Sequence, residues 1–152
     1  EMDADFSHNP KDIKRILEPM LENNYDVSIG SRYIKGINVV NWPLSRIILS
    51  YTASQYVQLI TRMNIKDSTS GYICYKKSVL ESIDLDNIKF TGYAFQIEMK
   101  YKSYLKNFKI IEVPIIFSDR LFGVSKLNGS IISEAIFGVI AMRIKNIFNI
   151  KF

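Results

Sequence analysis

Hydrophobic and polar positions alternate along this chain between two periods. Asn9 followed by Pro10 reads as an N-cap and first helical position. The helix they open runs through Ile13, Ile16 and Leu17, with Pro19 expected to kink it or end it early. "YDVSIGSRY" then switches to a period of two, with Val27 and Ile29 on one face of a short strand closed by Gly30. A loop with Gly36 and Pro43 leads to residues 44–63, where Leu44, Ile47, Ile48 and Tyr51 recur at helical spacing and no charge falls between Arg46 and Arg62. "DSTSGY" is turn-rich, "ICYKKSVLESI" passes from a short strand into a short helix, and "GYAFQIEMKYKSYL" is helical again. "FKIIEVPIIF" (108–117) is the clearest strand, and a last helix runs from about Ser130 to Phe148. Helices and strands alternating without repeats or low-complexity linkers predict an α/β domain.

Composition narrows this picture. With 152 residues, 47% of them hydrophobic, the chain has material for one substantial core. The net charge of +5 favours an anionic partner such as phosphate, nucleic acid or an acidic membrane face. The basic residues are spread over loops and not gathered into one stripe, which argues against nucleic acid. Cys74 is the only cysteine, so an intrachain disulfide and a cysteine-based zinc site are excluded, as suits a reducing compartment. No uncharged apolar run approaches the roughly 18 residues of a spanning helix.

The candidate chemistry begins with "MDADFSH". Two residues apart on a strand, Asp3 and Asp5 would present two carboxylates on one side, the hard oxygen ligands that Mg²⁺ or Mn²⁺ takes alongside substrate phosphates. An acidic turn before a helix is the other reading, and Asp-x-Asp alone does not decide between them. His8, a lone histidine beside a helix start, reads as structural. Arg32 follows a strand end, Arg46 and Ser50 lie one helical turn apart, and Arg120 with Lys126 brackets a loop after the strongest strand. Each is a hydrogen-bond donor suited to phosphate, and each taken singly reads equally as a solvated surface charge. Their common placement at strand ends and loops, where open α/β sheets bind ligands, is what argues for a site. Gln96 and Glu98 either line a sugar pocket or form the polar face of a packed helix. Residues 47–61 suit a membrane-interface surface lining a path for a prenyl chain, or equally a buried helix. The last helix, apolar over a wide stripe with Arg143, Lys145 and Lys151 near its end, suits anionic lipid or a dimer surface.

"MDADFSHNP", "VSIGSRY", "WPLSR", "DSTSGY", "GYAFQIEM", "IIEVPIIFSDR" and "GVSKL" stand in the order and at about the spacing seen in family 2 glycosyltransferases. The chain most resembles the polyprenol-phosphate (dolichol-phosphate) mannose synthases, from Asp3 to about Leu127. The resemblance implies the C-terminal part of a GT-A fold, Rossmann-like with a mixed sheet, over residues 1–127. Residues 128–152 would be a peripheral amphipathic helix for a membrane interface or an oligomer contact. It further implies transfer of mannose from GDP-mannose to a polyprenyl phosphate with inversion, at the cytoplasmic face of a membrane, with a homo-oligomer or a membrane-anchor subunit as compatible partners. Asp3 and Asp5 match the metal motif, with Ala4 against the nucleotide sugar; Ser7 stands where many relatives carry Gln as a further ligand, and Ser is shorter and weaker. Arg32, Arg120 and Lys126 match contacts to the nucleotide sugar or its phosphates, and Arg46 and Ser50 match the acceptor-phosphate position. Asp5, Arg46 and Arg120 are then the expected catalytic residues. A phosphate monoester is already largely an anionic nucleophile at pH 7, so no general base is expected. The family carries roughly another half-domain before Asp-x-Asp, so these residues alone are expected to turn over little or nothing. A UDP-glucose or UDP-aminosugar donor, and a non-catalytic module binding lipid phosphate at a membrane surface, are the alternatives.

Overall fold

A computed structural model describes residues 1–119 and 129–148. A single 3₁₀ turn (Pro10–Asp12) leads into α1 (Ile13–Glu22), then β1 (Val27–Ser31), β2 (Val39–Val40), α2 (Leu44–Thr61), β3 (Ile73–Tyr75), α3 (Lys77–Ser82), α4 (Gly92–Leu105), β4 (Ile110–Pro114), β5 (Phe117–Ser118) and α5 (Gly129–Ile147). The main sheet has the order β3-β1-β4, with β1 antiparallel to β3 and parallel to β4. This mixed sheet between helices is the α/β class that the periodicity predicts.

The alternation along the strands sorts the two faces. Val27 and Ile29 of β1 and Ile73 of β3 point into the larger core, with Val57 of α2, Ile97 and Tyr101 of α4 and Met142 of α5. Tyr72 and Ile115 point the other way and close on Ile16 of α1. Gly30 is needed for close approach: a Cβ there would lie 3.1 Å from Ile115 side-chain atoms and 3.2 Å from Tyr72 Cβ. α4 is the central helix, buried at Ala94 and continuously from Gln96 to Ser103, its polar residues included.

Three expectations change. Pro19 does not end its helix, which runs on to Glu22; a proline so near the C-terminus forfeits one backbone bond, and burial of Met20 holds the last turn. The run 108–117 is two strands, because β4 stops at Pro114 and β5 pairs instead with β2, in parallel. The Asp-x-Asp segment is not a strand. Glu1 alone is sheet-paired, exchanging two backbone hydrogen bonds with Ile73 (2.8 and 3.1 Å) on the outer edge of β3, and residues 4–8 form a series of bends.

Candidate functional site

The bends begin where Asp3 leaves the sheet edge. His8 anchors them: it is 2% exposed, stacks on Tyr72 at 4.7 Å, and accepts the Asp3 backbone N–H at Nδ1 (3.1 Å). Burial pushes the imidazole below its ordinary pKa, outweighing the nearby Asp3 carboxylate, so His8 is neutral at pH 7 and its role is structural. Phe6 takes a positive φ of 61° at the turn, which folds Ser7 back so that both its N–H and its hydroxyl donate to Asp5 Oδ1. Ser7 is therefore a support for Asp5, and its hydroxyl proton is already committed. The Asp3 side chain is 55% exposed. Two carboxylates on one short turn fit Mg²⁺ or Mn²⁺, which take few protein ligands and complete their shell with water and phosphate. No group of three or more His, Cys, Asp or Glu side chains suited to a metal occurs among the described residues.

Behind this turn stands the loop from Asp67 to Tyr72. Its inner side is built on charge. Asp67, fully buried, accepts the Arg32 backbone N–H (2.9 Å), Arg32 Nε (2.7 Å) and Arg32 Nη2 (2.6 Å). Burial alone would raise the Asp67 pKa, but the Arg32 charge and hydrogen bonds hold it below the usual carboxylate range. Glu112 of β4 accepts the backbone N–H groups of Lys66 and Asp67. Lys100 of α4 reaches up from beneath and donates to the carbonyls of Ser68 (2.9 Å) and Ser70 (2.7 Å) and, more weakly, Gln96 (3.4 Å). Burial pulls its ammonium down to about 7, against the attraction of Asp67. Gly71 brings the loop alongside the acidic turn: a Cβ on it would lie 3.9 Å from Asp3 Oδ1 and 3.6 Å from Gln96 Nε2.

Gln96 and Glu98 separate in role. Gln96 faces the acidic turn, donating to the Glu1 carboxylate and leaving Oε1 buried without a partner. Glu98 is internal, paired with Lys102 at 2.9 Å and accepting the N–H groups of Lys89 and Phe90.

On the other side of the loop lies a cleft of about 350 Å³ between α2 and α5. Its polar end holds Arg46, Ser50, Arg32 and Thr69; its walls are apolar, from Leu49, Ala53, Tyr56 and Val57 on α2 to Ile97 and Ile136. Arg46 lies over the Trp42 ring at 4.0 Å and donates to Asp119 at 2.8 Å, with its Nε buried and without a partner. The wall positions on α2 recur every three or four residues, so Arg46 and Val57 stand roughly 16 Å apart along the helix axis. The outer face of α2 exposes Leu44, Ile48, Tyr51 and Leu59, and α5 exposes Phe137, Ile140, Ile144 and Ile147. Each helix thus buries one side and leaves an apolar side uncovered. Among the described residues no helix is long and apolar enough to cross a membrane.

The predicted residues thus fall in two groups flanking one loop: Asp3, Ala4, Asp5 and Ser7 on the acidic turn, and Arg32, Arg46 and Ser50 at the cleft. Arg32 lines the cleft while most of its donors are held by Asp67 and, at Nη2, by Thr69 (2.9 Å). Arg120, Lys126 and Lys151 lie outside the described residues. Sequence reasoning missed Asp67, Lys100 and Glu112. The one visible signal was Lys100, which falls between Ile97 and Tyr101 on an apolar helix face.

Comparison with known proteins identifies relatives of this chain. The chain is 45% identical over 139 residues to the polyprenol monophosphomannose synthase of Mycolicibacterium smegmatis, an alignment covering 91% of the chain and 52% of that protein. It is 42% identical over 139 residues to the undecaprenyl-phosphate mannosyltransferase of Micrococcus luteus, covering 91% of the chain and 56% of that protein. The chain therefore spans about half the length of these relatives. The model of glycosyl transferase family 2 matches residues 1–84, and with it the chain belongs to that family.

Proposed function

We propose that these residues form the acceptor side and the metal turn of a mannosyltransferase that moves mannose from GDP-mannose to a polyprenyl phosphate, with inversion, at the cytoplasmic face of a membrane. The observation that carries this reading is the cleft. A cationic and hydroxylic end at Arg46 and Ser50, continued by about 10 Å of largely apolar wall from Ser50 to Val57, is the complement of a phosphate on a prenyl chain. The uncovered apolar sides of α2 and α5 suit a bilayer interface, in which the remainder of the chain would stay. The names of the two relatives, a polyprenol and an undecaprenyl-phosphate enzyme, support the same acceptor class.

Asp3 and Asp5 would hold Mg²⁺ or Mn²⁺, which on binding offsets charge on the departing diphosphate. Ser7 keeps Asp5 oriented, and Ala4 leaves room for the nucleotide sugar. Arg46, stacked on Trp42 and tethered by Asp119, is held ready for the acceptor phosphate, whose oxygen is the nucleophile. Arg120 and Lys126 would meet the donor phosphates. The experiment is transfer of radiolabelled sugar to undecaprenyl phosphate by a polypeptide carrying these residues within the relatives' full length, with GDP-mannose and UDP-glucose in parallel. Transfer from GDP-mannose that falls at least a hundredfold in Arg46→Ala is expected. Preference for UDP-glucose would overturn the donor, and full activity of Arg46→Ala would overturn the acceptor site.

A further inference from the structure

Several helix hydroxyls among the described residues bond back to the preceding turn, and Ser50 does not. Thr52 donates to the Ile48 carbonyl (2.8 Å), Thr61 to that of Val57 (2.6 Å) and Ser103 to that of Met99 (2.8 Å), the usual use of a hydroxyl on a helix. Ser50 makes no such bond to Arg46, one turn back. Its hydrogen bond is one that it accepts, from the Tyr33 hydroxyl at 2.8 Å. A hydroxyl has one hydrogen and two lone pairs, so with Tyr33 on a lone pair the hydrogen of Ser50 remains to be given away. Ser50 lines the cleft beside Arg46, and Tyr33 lies behind it, 5% exposed.

Tyr33 is itself held on two sides. Tyr51 meets its ring edge-on at 5.4 Å, and the Arg32 guanidinium sits 5.2 Å from the ring centroid, locked there by Asp67. Burial raises the phenol above its ordinary pKa, so it remains a donor throughout the neutral range. We propose that Tyr33 is a positioning residue for the acceptor: by donating to Ser50 Oγ, it turns the Ser50 hydroxyl hydrogen into the cleft to meet the phosphate of a polyprenyl phosphate. This rests on the acceptor site proposed above and adds to it a residue that never touches the substrate.

The test compares Tyr33→Phe, Ser50→Ala and the double variant in the full-length polypeptide, reading KM for undecaprenyl phosphate, KM for GDP-mannose, kcat and Tm. One hydrogen bond to a charged acceptor such as phosphate corresponds to roughly ten- to a hundredfold in affinity. Each single variant is expected to raise the acceptor KM by about that factor, with kcat and the donor KM within about twofold of wild type. The double variant is expected to be no worse than Ser50→Ala, because Tyr33 acts through Ser50. Ser50→Thr, which keeps the hydroxyl, should retain near-normal acceptor KM and remain sensitive to Tyr33→Phe. An acceptor KM raised by Ser50→Ala but untouched by Tyr33→Phe would overturn the positioning role and leave the acceptor site standing. An acceptor KM untouched by both would overturn the site itself. Multiplying effects in the double variant, or a lowered Tm with donor and acceptor KM changed alike, would make Tyr33 a packing residue only.

Discussion

Replacing Asp67 with Asn isolates one charge in the loop that separates the acidic turn from the cleft. The substitution keeps the size of the side chain but sets an amide where a carboxylate now accepts three N–H groups of Arg32, at 2.6 to 2.9 Å. Asp67 is fully buried and the Arg32 side chain is 6% exposed, so solvent cannot replace what is lost. Removing one partner of a buried pair generally costs about 3–5 kcal/mol, since it strands the other charge. In a chain of this size that lowers Tm by roughly 6–20 °C. Urea unfolding followed by circular dichroism at pH 7 should show the loss as a lower midpoint with an unchanged slope. The pH dependence has a definite sign. The folded Asp67 pKa lies below the unfolded one, so the contribution is complete above the unfolded value and fades as pH falls through the folded one. The gap between wild type and Asp67→Asn should therefore narrow in acid. Arg32→Met with Asp67→Leu, which removes both charges, should recover most of the stability. A loss under about 1 kcal/mol at pH 7, the scale of a solvent-screened surface pair, would refute the reasoning.

Three further outcomes follow from the same structure. The folded Lys100 pKa of about 7 lies below its unfolded value, so the unfolded chain holds the extra proton above pH 7; wild-type stability should rise between pH 6.5 and 8.5, and equal slopes in wild type and Lys100→Met by urea titration would contradict this. Gly30→Ala forces a methyl against Ile115 and Tyr72 and should cost about 1–3 kcal/mol in the same assay; an unchanged midpoint would show that α1 can move aside. Asp3→Asn and Asp5→Asn should each weaken Mn²⁺ binding, read by water-proton relaxation, by about tenfold or more for a lost carboxylate ligand, and unchanged binding in both would remove the acidic turn as a metal site.

Much of the fold was legible because its signals are local. The ends of α4, and those of α2 to within two residues, follow from periodicity and punctuation, and β1 from a run of small and β-branched residues. The division of 108–117 was not legible, since whether a residue pairs with β1 or β2 depends on partners some 80 residues away. The site divides the same way. Asp3, Asp5, Arg46 and Ser50 stand in short motifs that make them candidates through the family resemblance those motifs carry together. Asp67 and Glu112 carry their meaning only through burial and mutual distance, and each alone looks like an ordinary surface charge, whereas Lys100 at least stands out on an apolar helix face. Arg32 shows the limit most clearly: its residue type suggested phosphate, and its neighbour Asp67 decides where its hydrogen bonds go.

The pairing of Glu1 with Ile73 has a mechanical consequence. Two backbone hydrogen bonds at the rim of β3 act as the index mark from which the acidic turn is measured, as a stop on a ruler sets every later division. A slip of one residue there would displace the start of the acidic turn by roughly 3.3 Å. His8, wedged between Tyr72 and Phe117, resists that slip from the far end of the turn. Two carboxylates on otherwise irregular backbone thus inherit the positional tolerance of a β-sheet.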